Sequence, residues 1–296
     1  MYDGEVTGAR LDWQSKLVLL LVLPAAATDA VLKTQWWSEQ GAQVAVWVLG
    51  LSVLLGLVTW QIRAATAAAA FTGAAITASL MYSTASYPYL PWHTALLPVL
   101  AVSLLAFAST RLGRAGKERL GTAESRQGRT AAQVAANLGV AALVSSGFAQ
   151  SSMAGLHSFA GLRPERAALL IAGLAALAEA AADTVSSELG QVFGGRPRMI
   201  TTLRSVPPGV DGAISVAGTL AGIAAAAMVA GVGAYALRTP PISFEIAWAG
   251  GVFGLFFDSL LGATFERFGW LENDGVNFLS TLSAAACALA AMAWLG

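Results

Sequence analysis

The chain has few charged residues for its length. Only 11% of its 296 residues are Asp, Glu, Lys or Arg, whereas 56% are hydrophobic, and an ordinary soluble domain carries about a quarter charged residues. The formal net charge is zero, which argues against a general nucleic-acid partner because such proteins usually carry a basic patch. The composition therefore predicts an integral membrane protein.

Cysteine and histidine are also scarce. The single cysteine, Cys287, lies in an apolar segment near the C-terminus, which excludes an intramolecular disulfide and a cysteine-based zinc site. The two histidines, His93 and His157, fall in predicted loops far apart in the sequence, so neither is a good catalytic candidate. The candidates for chemistry are therefore carboxylates, amides, hydroxyls and cations.

Long apolar runs alternate with short polar segments. A helix needs about 20 mostly apolar residues to cross the hydrocarbon core, and nine stretches are candidates: 15–32, 43–62, 64–82, 93–110, 130–149, 166–188, 212–236, 243–265 and 275–295. Only Gln61 and Arg63 separate the second stretch from the third, so eight is the alternative count. We expect an all-α polytopic fold of about nine transmembrane helices, forming one integral membrane domain over residues 1–296.

The basic residues predict an orientation. Residues 111–129 contain Arg111, Arg114, Lys117, Arg119, Arg126 and Arg129, and a loop this rich in cations belongs in the cytoplasm. Alternation then places the N-terminus in the cytoplasm and opens every polar motif to that side. In a prokaryote the membrane would be the inner, cytoplasmic membrane.

The first of three polar clusters spans residues 111–137. Its cations can bind anionic phosphates, while Gln133 and Asn137 lie four residues apart and share one face of the next helix. The alternative is an ordinary positive loop that attracts anionic lipid headgroups. The amides favour a binding site, because amides inside a membrane helix require partners and topology signals do not use them.

The second cluster consists of Glu179, Asp183 and Glu188, followed by a basic, glycine-rich loop. Glu179 and Asp183 share a helical face, and Glu188 is rotated away by about 140°. Carboxylates within a span are costly unless they are paired, protonated or bound to a cation, and two of them with phosphate oxygens and waters suit magnesium. The alternatives are that Glu188 caps the helix or pairs with a loop arginine, and that Glu179 only pairs with a neighbouring helix.

The third cluster spans residues 258–277. Asp258 lies inside a predicted span, and Gly262 would let another element approach it, as expected for a second carboxylate beside a metal. Asn273, Asp274 and Asn277 gather at the entry to the last helix. For Asn273 and Asp274 the alternative is an N-cap, the usual function of such residues at a helix start.

The motifs in these clusters resemble a known family. They read K-E-R-L-G from Lys117, Q-V-A-A-N up to Asn137, A-D-T-V-S-S-E-L-G around Asp183, I-T-T from Ile200, V-P-P-G-V-D-G from Val206, D-S-L-L-G-A from Asp258 and N-D-G-V-N-F from Asn273. Over residues 50–296 they resemble the integral-membrane family that contains the plant phytyl-phosphate kinase of vitamin E synthesis and the animal transmembrane-protein-nineteen group. On this basis we expect residues 50–296 to form the catalytic core and residues 1–40 to form a peripheral N-terminal helix.

The resemblance implies a nucleoside-triphosphate-dependent kinase that converts an isoprenyl monophosphate, such as phytyl phosphate, to the diphosphate at the cytoplasmic membrane face. A more distant similarity to polyprenol kinases and CDP-diacylglycerol synthases favours CTP as the donor. The expected catalytic residues, which would also hold Mg²⁺ or Mn²⁺, are Asp183, Glu188 and Asp258. The expected phosphate- and nucleotide-binding residues are Lys117, Arg126, Arg129, Gln133, Asn137, Thr201, Thr202, Arg204, Gly209, Asp211, Ser215, Asn273, Asp274 and Asn277.

Two departures and two alternatives accompany this expectation. The family usually has Asn where this chain has Asp211, and often a large residue near Val185, which leaves the choice of donor open. A cytidylyltransferase acting on a lipid phosphate would use the same metal and CTP, and an ion-coupled transporter would also explain acidic residues within the membrane. The expected partners are the isoprenyl monophosphate, the nucleotide and membrane lipid, with no nucleic acid and with a homodimer as a candidate assembly.

Overall fold

The computed structural model describes residues 12–152 and 166–295, so His157 and the chain ends lie outside the described residues. The helices are α1 (Asp12–Gln61), α2 (Ala67–Thr84), α3 (Leu96–Arg111), α4 (Arg114–Leu120), α5 (Ala131–Ser145), α6 (Arg166–Phe193), α7 (Val216–Ala236), α8 (Pro241–Leu261) and α9 (Asn273–Leu295). Short 3₁₀ and π turns cover Pro91–His93 and Gly262–Glu266, and the strands β1 (Arg198–Met199) and β2 (Ala213–Ile214) pair antiparallel. The predicted predominantly helical fold is therefore present.

Helix α1 combines two of the predicted stretches. Its 50 residues break at Gly41, whose backbone is not helical, and a continuous helix of that length would extend about 75 Å, over twice the hydrocarbon thickness. Gln14 contacts the start of α9 by donating to the Trp270 carbonyl at 2.9 Å, whereas Thr34 contacts Tyr82 at the far end of α2. Because the C-terminal end of α1 returns to the loop containing Arg129, the two arms of α1 run in opposite directions.

The structure does not confirm the predicted count of nine membrane spans. Within the described residues, five helices are long and apolar enough to cross a membrane, namely α1, α6, α7, α8 with its π turn, and α9. Helices α3 and α4 make a sixth candidate if the pair, bent by 67°, is one span. The 15-residue α5 is too short to satisfy the same length criterion. The count of nine is therefore not confirmed, although all nine stretches contain helix.

Helix α6 is the centre of the bundle. In its most apolar window 89% of the residues are buried, and α3, α5, α7, α8 and α9 all pack against it. Small residues permit this crowding: a Cβ added at Gly251 would lie 2.9 Å from Ala178 Cβ, and one at Gly254 would lie 2.5 Å from Glu179 Cγ. The close approach of α8 to α6 is typical of membrane helices with small residues at their interface.

The connection between α6 and α7 lies against the π turn that follows α8. Gly212, immediately before β2, has a φ of +73°, and a Cβ there would overlap the backbone of Ala263. Gly262 faces the same contact from the other side, since its Cβ would lie 2.8 Å from the Gly212 nitrogen. This contact places Asp211 near the end of α8, where Asp258 lies one turn before Gly262.

Candidate functional site

The three polar clusters line one pocket of about 260 Å³. Its walls come from α5, α6, the α6–α7 connection, the end of α8 and the start of α9. Of the predicted site residues, eleven line it: Arg129, Gln133, Asn137, Asp183, Glu188, Gly209, Asp211, Ser215, Asp258, Asn273 and Asn277. The fold therefore brings together most of the residues that were predicted to bind phosphate, nucleotide or metal.

Several of these groups lie at the capped N-terminal ends of helices. Thr130 caps α5 by accepting from the Gln133 backbone, and the Gln133 side chain accepts from the Thr130 backbone, forming a capping box. Asn137, one turn further along α5, donates to the Gln133 carbonyl at 2.8 Å. Ser215 caps α7 by accepting from Gly218. These caps fix the helix ends that form the pocket wall.

Two partly buried carboxylates and one fully buried carboxylate form the floor of the pocket. Asp183 and Asp258 adjoin each other across the contact between α6 and α8, and Ser187 donates to Asp183 at 3.3 Å. Glu179 lies one turn deeper, is 1% exposed, and faces the Ser280 hydroxyl of α9, as Asp258 does. Three acidic side chains thus converge where α6, α8 and α9 meet.

Several oxygens at this floor have no partner among the described residues. They are Glu179 Oε1, Asp258 Oδ1 and Asn277 Oδ1, all buried. Burying such groups without a partner costs free energy, so a ligand that binds here would gain from satisfying them. Carboxylate and amide oxygens are the donors that Mg²⁺ prefers.

The donor set fits a magnesium ion that is shared with a phosphate ligand. Across residues 12–152 and 166–295, no group of three His, Cys, Asp or Glu side chains has the arrangement to hold a metal alone. Magnesium is commonly held by one or two carboxylates together with substrate phosphates and waters. Asp183 and Asp258 would therefore be the protein ligands, with phosphate oxygens completing the shell.

Glu188 and Lys117 form a buried ion pair beside the pocket. Lys117 is 1% exposed, bonds Glu188, and donates to the carbonyls of Ser109 at 2.8 Å and Thr110 at 3.2 Å. A lysine ammonium has three N–H groups, and these three acceptors occupy them. The structure thus places Lys117 outside the pocket lining, with no N–H left for a phosphate. Glu188 lines the pocket and is the ion-pair partner of this α4 lysine.

Five other predicted residues lie outside the pocket lining. Arg126 is 82% exposed and pairs with Glu118. Thr201, Thr202 and Arg204 are exposed around the turn that follows β1. Asp274 accepts from Ser15 at 2.5 Å instead. The geometry brings none of these five into contact with the carboxylate floor.

Some pocket residues were not predicted. Glu124, Ser187, Ser259 and Glu266 all line the pocket, and Glu179, which was noted but not included in the site, lies directly beneath it. Ser187 follows Asp183 by four residues, so helical spacing could have identified it. Ser259 follows Asp258 directly, and neighbouring residues of a helix do not share a face, so spacing gave no signal for it. Glu266 gave no such signal, because the π turn rotates it away from regular α-helical positions.

The pocket rim is also electrostatically distinctive. Partial burial raises the pKa of Asp211 above its ordinary value, although the positive charge of Arg267 opposes the shift. Arg129 donates to Thr184 at 3.3 Å and lies close enough to Asp183 to interact with its charge. The Arg129 guanidinium therefore lies close to the carboxylates of the pocket floor.

A second, larger cavity of about 720 Å³ adjoins the first. Mostly apolar residues of α1, α2, α3 and α5 line it. Glu124, Arg129, Asn137 and Thr184 belong to the lining of both cavities. The polar pocket and the apolar cavity thus share one wall.

These features define an integral membrane protein with a polar pocket sunk into its helix bundle. A family model described as integral membrane protein DUF92 matches residues 50–285. The chain therefore belongs to this family, which confirms the family predicted from the motifs. No solved structure matches the chain.

Curated relatives come from three kinds of organism. An uncharacterized membrane protein of Methanocaldococcus jannaschii is 43% identical over 113 residues, which are 38% of this chain and 47% of the relative. An uncharacterized membrane protein of Synechocystis is 34% identical over 196 residues, 65% of this chain and 72% of the relative. Protein VTE6, chloroplastic, of Arabidopsis thaliana is 32% identical over 188 residues, 62% of this chain and 54% of the relative. The matched regions thus span about half of the archaeal and plant relatives.

Proposed function

We propose that this protein is a nucleoside-triphosphate-dependent kinase that converts an isoprenyl monophosphate to the diphosphate at the cytoplasmic membrane face. One observation carries the proposal: a pocket with a carboxylate floor and a cationic rim shares a wall with a large apolar cavity. A lipid with a phosphate head needs both environments. The motif resemblance to a family that contains a phytyl-phosphate kinase supports the same activity.

The residues are suited to phosphoryl transfer between two phosphates. An oxygen of the acceptor phosphate would attack the γ-phosphorus of the donor, the bond from that phosphorus to the β–γ bridging oxygen would break, and the electron pair would leave with the nucleoside diphosphate. No general base is needed, because a phosphate monoester is already largely dianionic near neutral pH. The protein mainly has to align both phosphates and offset their charge.

The pocket residues divide between these tasks. Asp183 and Asp258 would hold Mg²⁺ (or Mn²⁺), which when bound supplies positive charge to the donor phosphates. Arg129 would contact the transferred phosphoryl group from above the floor, and Gln133 and Asn137 would donate to phosphate oxygens. Glu188 would act on the site indirectly, because its carboxylate is bound to Lys117.

The size of the pocket suggests how a nucleotide would bind. Drug-sized ligands occupy clefts of about 300–1,000 Å³, and the 260 Å³ pocket is smaller than that range. It would take the polyphosphate of the donor and leave the base and ribose over the α6–α7 connection. The exposed Thr201, Thr202 and Arg204 are then candidates for contacts that favour CTP over other nucleotides.

The test is a label-transfer assay with purified protein in detergent and magnesium. Phytyl, geranylgeranyl and farnesyl monophosphates are each incubated with CTP labelled at the γ- or the α-phosphate, and with γ-labelled ATP, GTP and UTP. A kinase transfers only the γ label to the lipid. Transfer of the α label would instead show cytidylyl transfer, and the absence of transfer from all four nucleotides would refute the kinase assignment.

A variant pair connects the assay to the site. Asp183→Asn removes a metal-binding charge at nearly constant volume, so γ-label transfer should fall to background while the protein still elutes as a folded species. Asp12→Asn is the matched control, because Asp12 is exposed and pairs only with Lys16. Full activity in Asp183→Asn would refute the metal assignment.

A further inference from the structure

The apolar cavity is deep as well as large. On α2 its lining runs from Ala69 to Thr77, and on α3 from Arg111 back to Val99. At 1.5 Å per residue these distances are about 12 Å and about 18 Å along the helix axes. The cavity is therefore a slot about as deep as one leaflet of a roughly 30 Å hydrocarbon core.

Cations gather at one end of this slot. The cavity lining contains five arginines and two glutamates, Glu118 and Glu124, and two of the arginines, Arg114 and Arg126, pair with Glu118. The other three are Arg63 after the end of α1, Arg111 at the end of α3 and Arg129 before α5. Among the salt bridges of the described residues, none involves these three arginines. Arg111 donates to the Ile62 carbonyl and lies 4.1 Å from the Phe107 ring centre, which holds its guanidinium at the end of the slot.

The opposite end of the slot offers no comparable charge. The residues that line it there are Leu55, Gly73, Thr77, Val99, Val102 and Ser103. An occupant must therefore be anionic at one end and apolar along the rest of its length. Arginine is well suited to the anionic end, because its guanidinium can form two parallel hydrogen bonds to a phosphate.

We infer that this slot binds the acceptor as a single long isoprenyl chain, with its phosphate held by Arg63, Arg111 and Arg129. The inference rests on the proposed function for the identity of the lipid. Arg129 lines both cavities, so a phosphate at this arginine lies next to the carboxylate floor. The depth of the slot favours phytyl or geranylgeranyl chains over geranyl, because a short chain would leave its apolar end unfilled.

Gly73 provides a way to shorten the slot. A Cβ at Gly73 would meet only Val134, at an ordinary 3.7 Å, so a leucine side chain can enter the cavity, and it also favours the helix more than glycine does. Gly50 on α1 is the matched control, since it is exposed and a Cβ there would have no neighbour within 4 Å. Both substitutions add the same side chain to a membrane helix.

The experiment measures binding of geranyl, geranylgeranyl and phytyl monophosphates by titration in detergent, without nucleotide or magnesium. Gly73→Leu should weaken the binding of phytyl and geranylgeranyl monophosphate at least tenfold. The affinity for geranyl monophosphate should change by no more than about twofold. Gly50→Leu should match the unchanged protein at every length. Equal weakening at all lengths, or no weakening at any, would overturn the inference.

Two further binding measurements test which group binds the phosphate and whether the lipid has one chain or two. Arg63→Gln should weaken the binding of phytyl monophosphate by about tenfold or more, which is the size expected for losing a hydrogen bond to a charged group. The binding of phytol, which has no phosphate, should not change. Phosphatidic acid, which has two chains on a similar head, should compete poorly, and competition equal to that of phytyl monophosphate would overturn the single-chain assignment. Because no nucleotide is present, chain-selective binding can succeed even if the label-transfer assay refutes the kinase.

Discussion

The Lys117–Glu188 pair allows a sharp test of structure against function. Lys117→Met would keep the length of the side chain but leave the half-buried Glu188 carboxylate without its cation. Breaking a buried ion pair in this way typically costs about 3–5 kcal/mol. At about 2–4 °C per kcal/mol for a chain of 150–250 residues, the melting temperature should fall by about 6 °C or more.

The assay is thermal unfolding in detergent, followed by the intrinsic fluorescence of the nine tryptophans. Arg126→Met is the matched control, because Arg126 also forms an ion pair but is 82% exposed, and exposed pairs contribute little. The double variant Lys117→Met/Glu188→Leu should recover most of the lost stability, since replacing both charges with apolar groups removes the unpaired carboxylate. An unchanged melting temperature in Lys117→Met would refute the assignment of Lys117 as a stabilising partner of Glu188. A raised KM for the nucleotide in the same variant would support the original prediction that Lys117 binds a phosphate.

Three further predictions concern the surroundings of the pocket. Gly212→Ala should lower the melting temperature by several degrees, because its φ is positive and a Cβ would overlap Ala263, whereas Gly116→Ala, with nothing within 4 Å, should not. Partial burial raises the pKa of Asp211, so this residue's contribution to stability is present at low pH and is lost as the pH rises. The melting-temperature advantage of Asp211→Asn should therefore grow above about pH 4, and a constant difference would contradict the shift. Gln14→Leu should speed hydrogen exchange at the start of α9, because Gln14 bonds the backbone of residues 270 and 272; unchanged exchange would show that α1 does not hold that segment.

The class of fold was largely readable from composition and apolar runs. Eleven percent charge and the stretches near α6 to α9 require a membrane and predict helices. Hydropathy also separated residues 15–32 from 43–62, but it does not show that helix continues between these stretches and breaks at Gly41. Nor does hydropathy show that α5 ends at Ser145, because the length of a helix inside a protein depends on what packs around it.

The candidate site was partly predictable for a similar reason. Spacing identified Asp183, Asp258 and Asn137 as polar groups inside spans, and these groups line one pocket. Spacing could not show which charges neutralise each other, so Lys117 was expected at a phosphate although its N–H groups are all occupied. Spacing placed Glu179 one turn deeper than Asp183, but its nearly complete burial was not predictable, because it depends on the glycines of α8 that face α6.

Arg129 connects the two cavities energetically as well as spatially. An anion that binds at one cavity changes the potential and the hydrogen bonds that the same guanidinium offers to the other. Such coupling is reciprocal for binding free energies, so each ligand must alter the affinity of the other by the same factor. A substitution at Arg129 removes a side chain that lines both cavities, so the affinity for each ligand and the coupling between them should be measured together in such a variant.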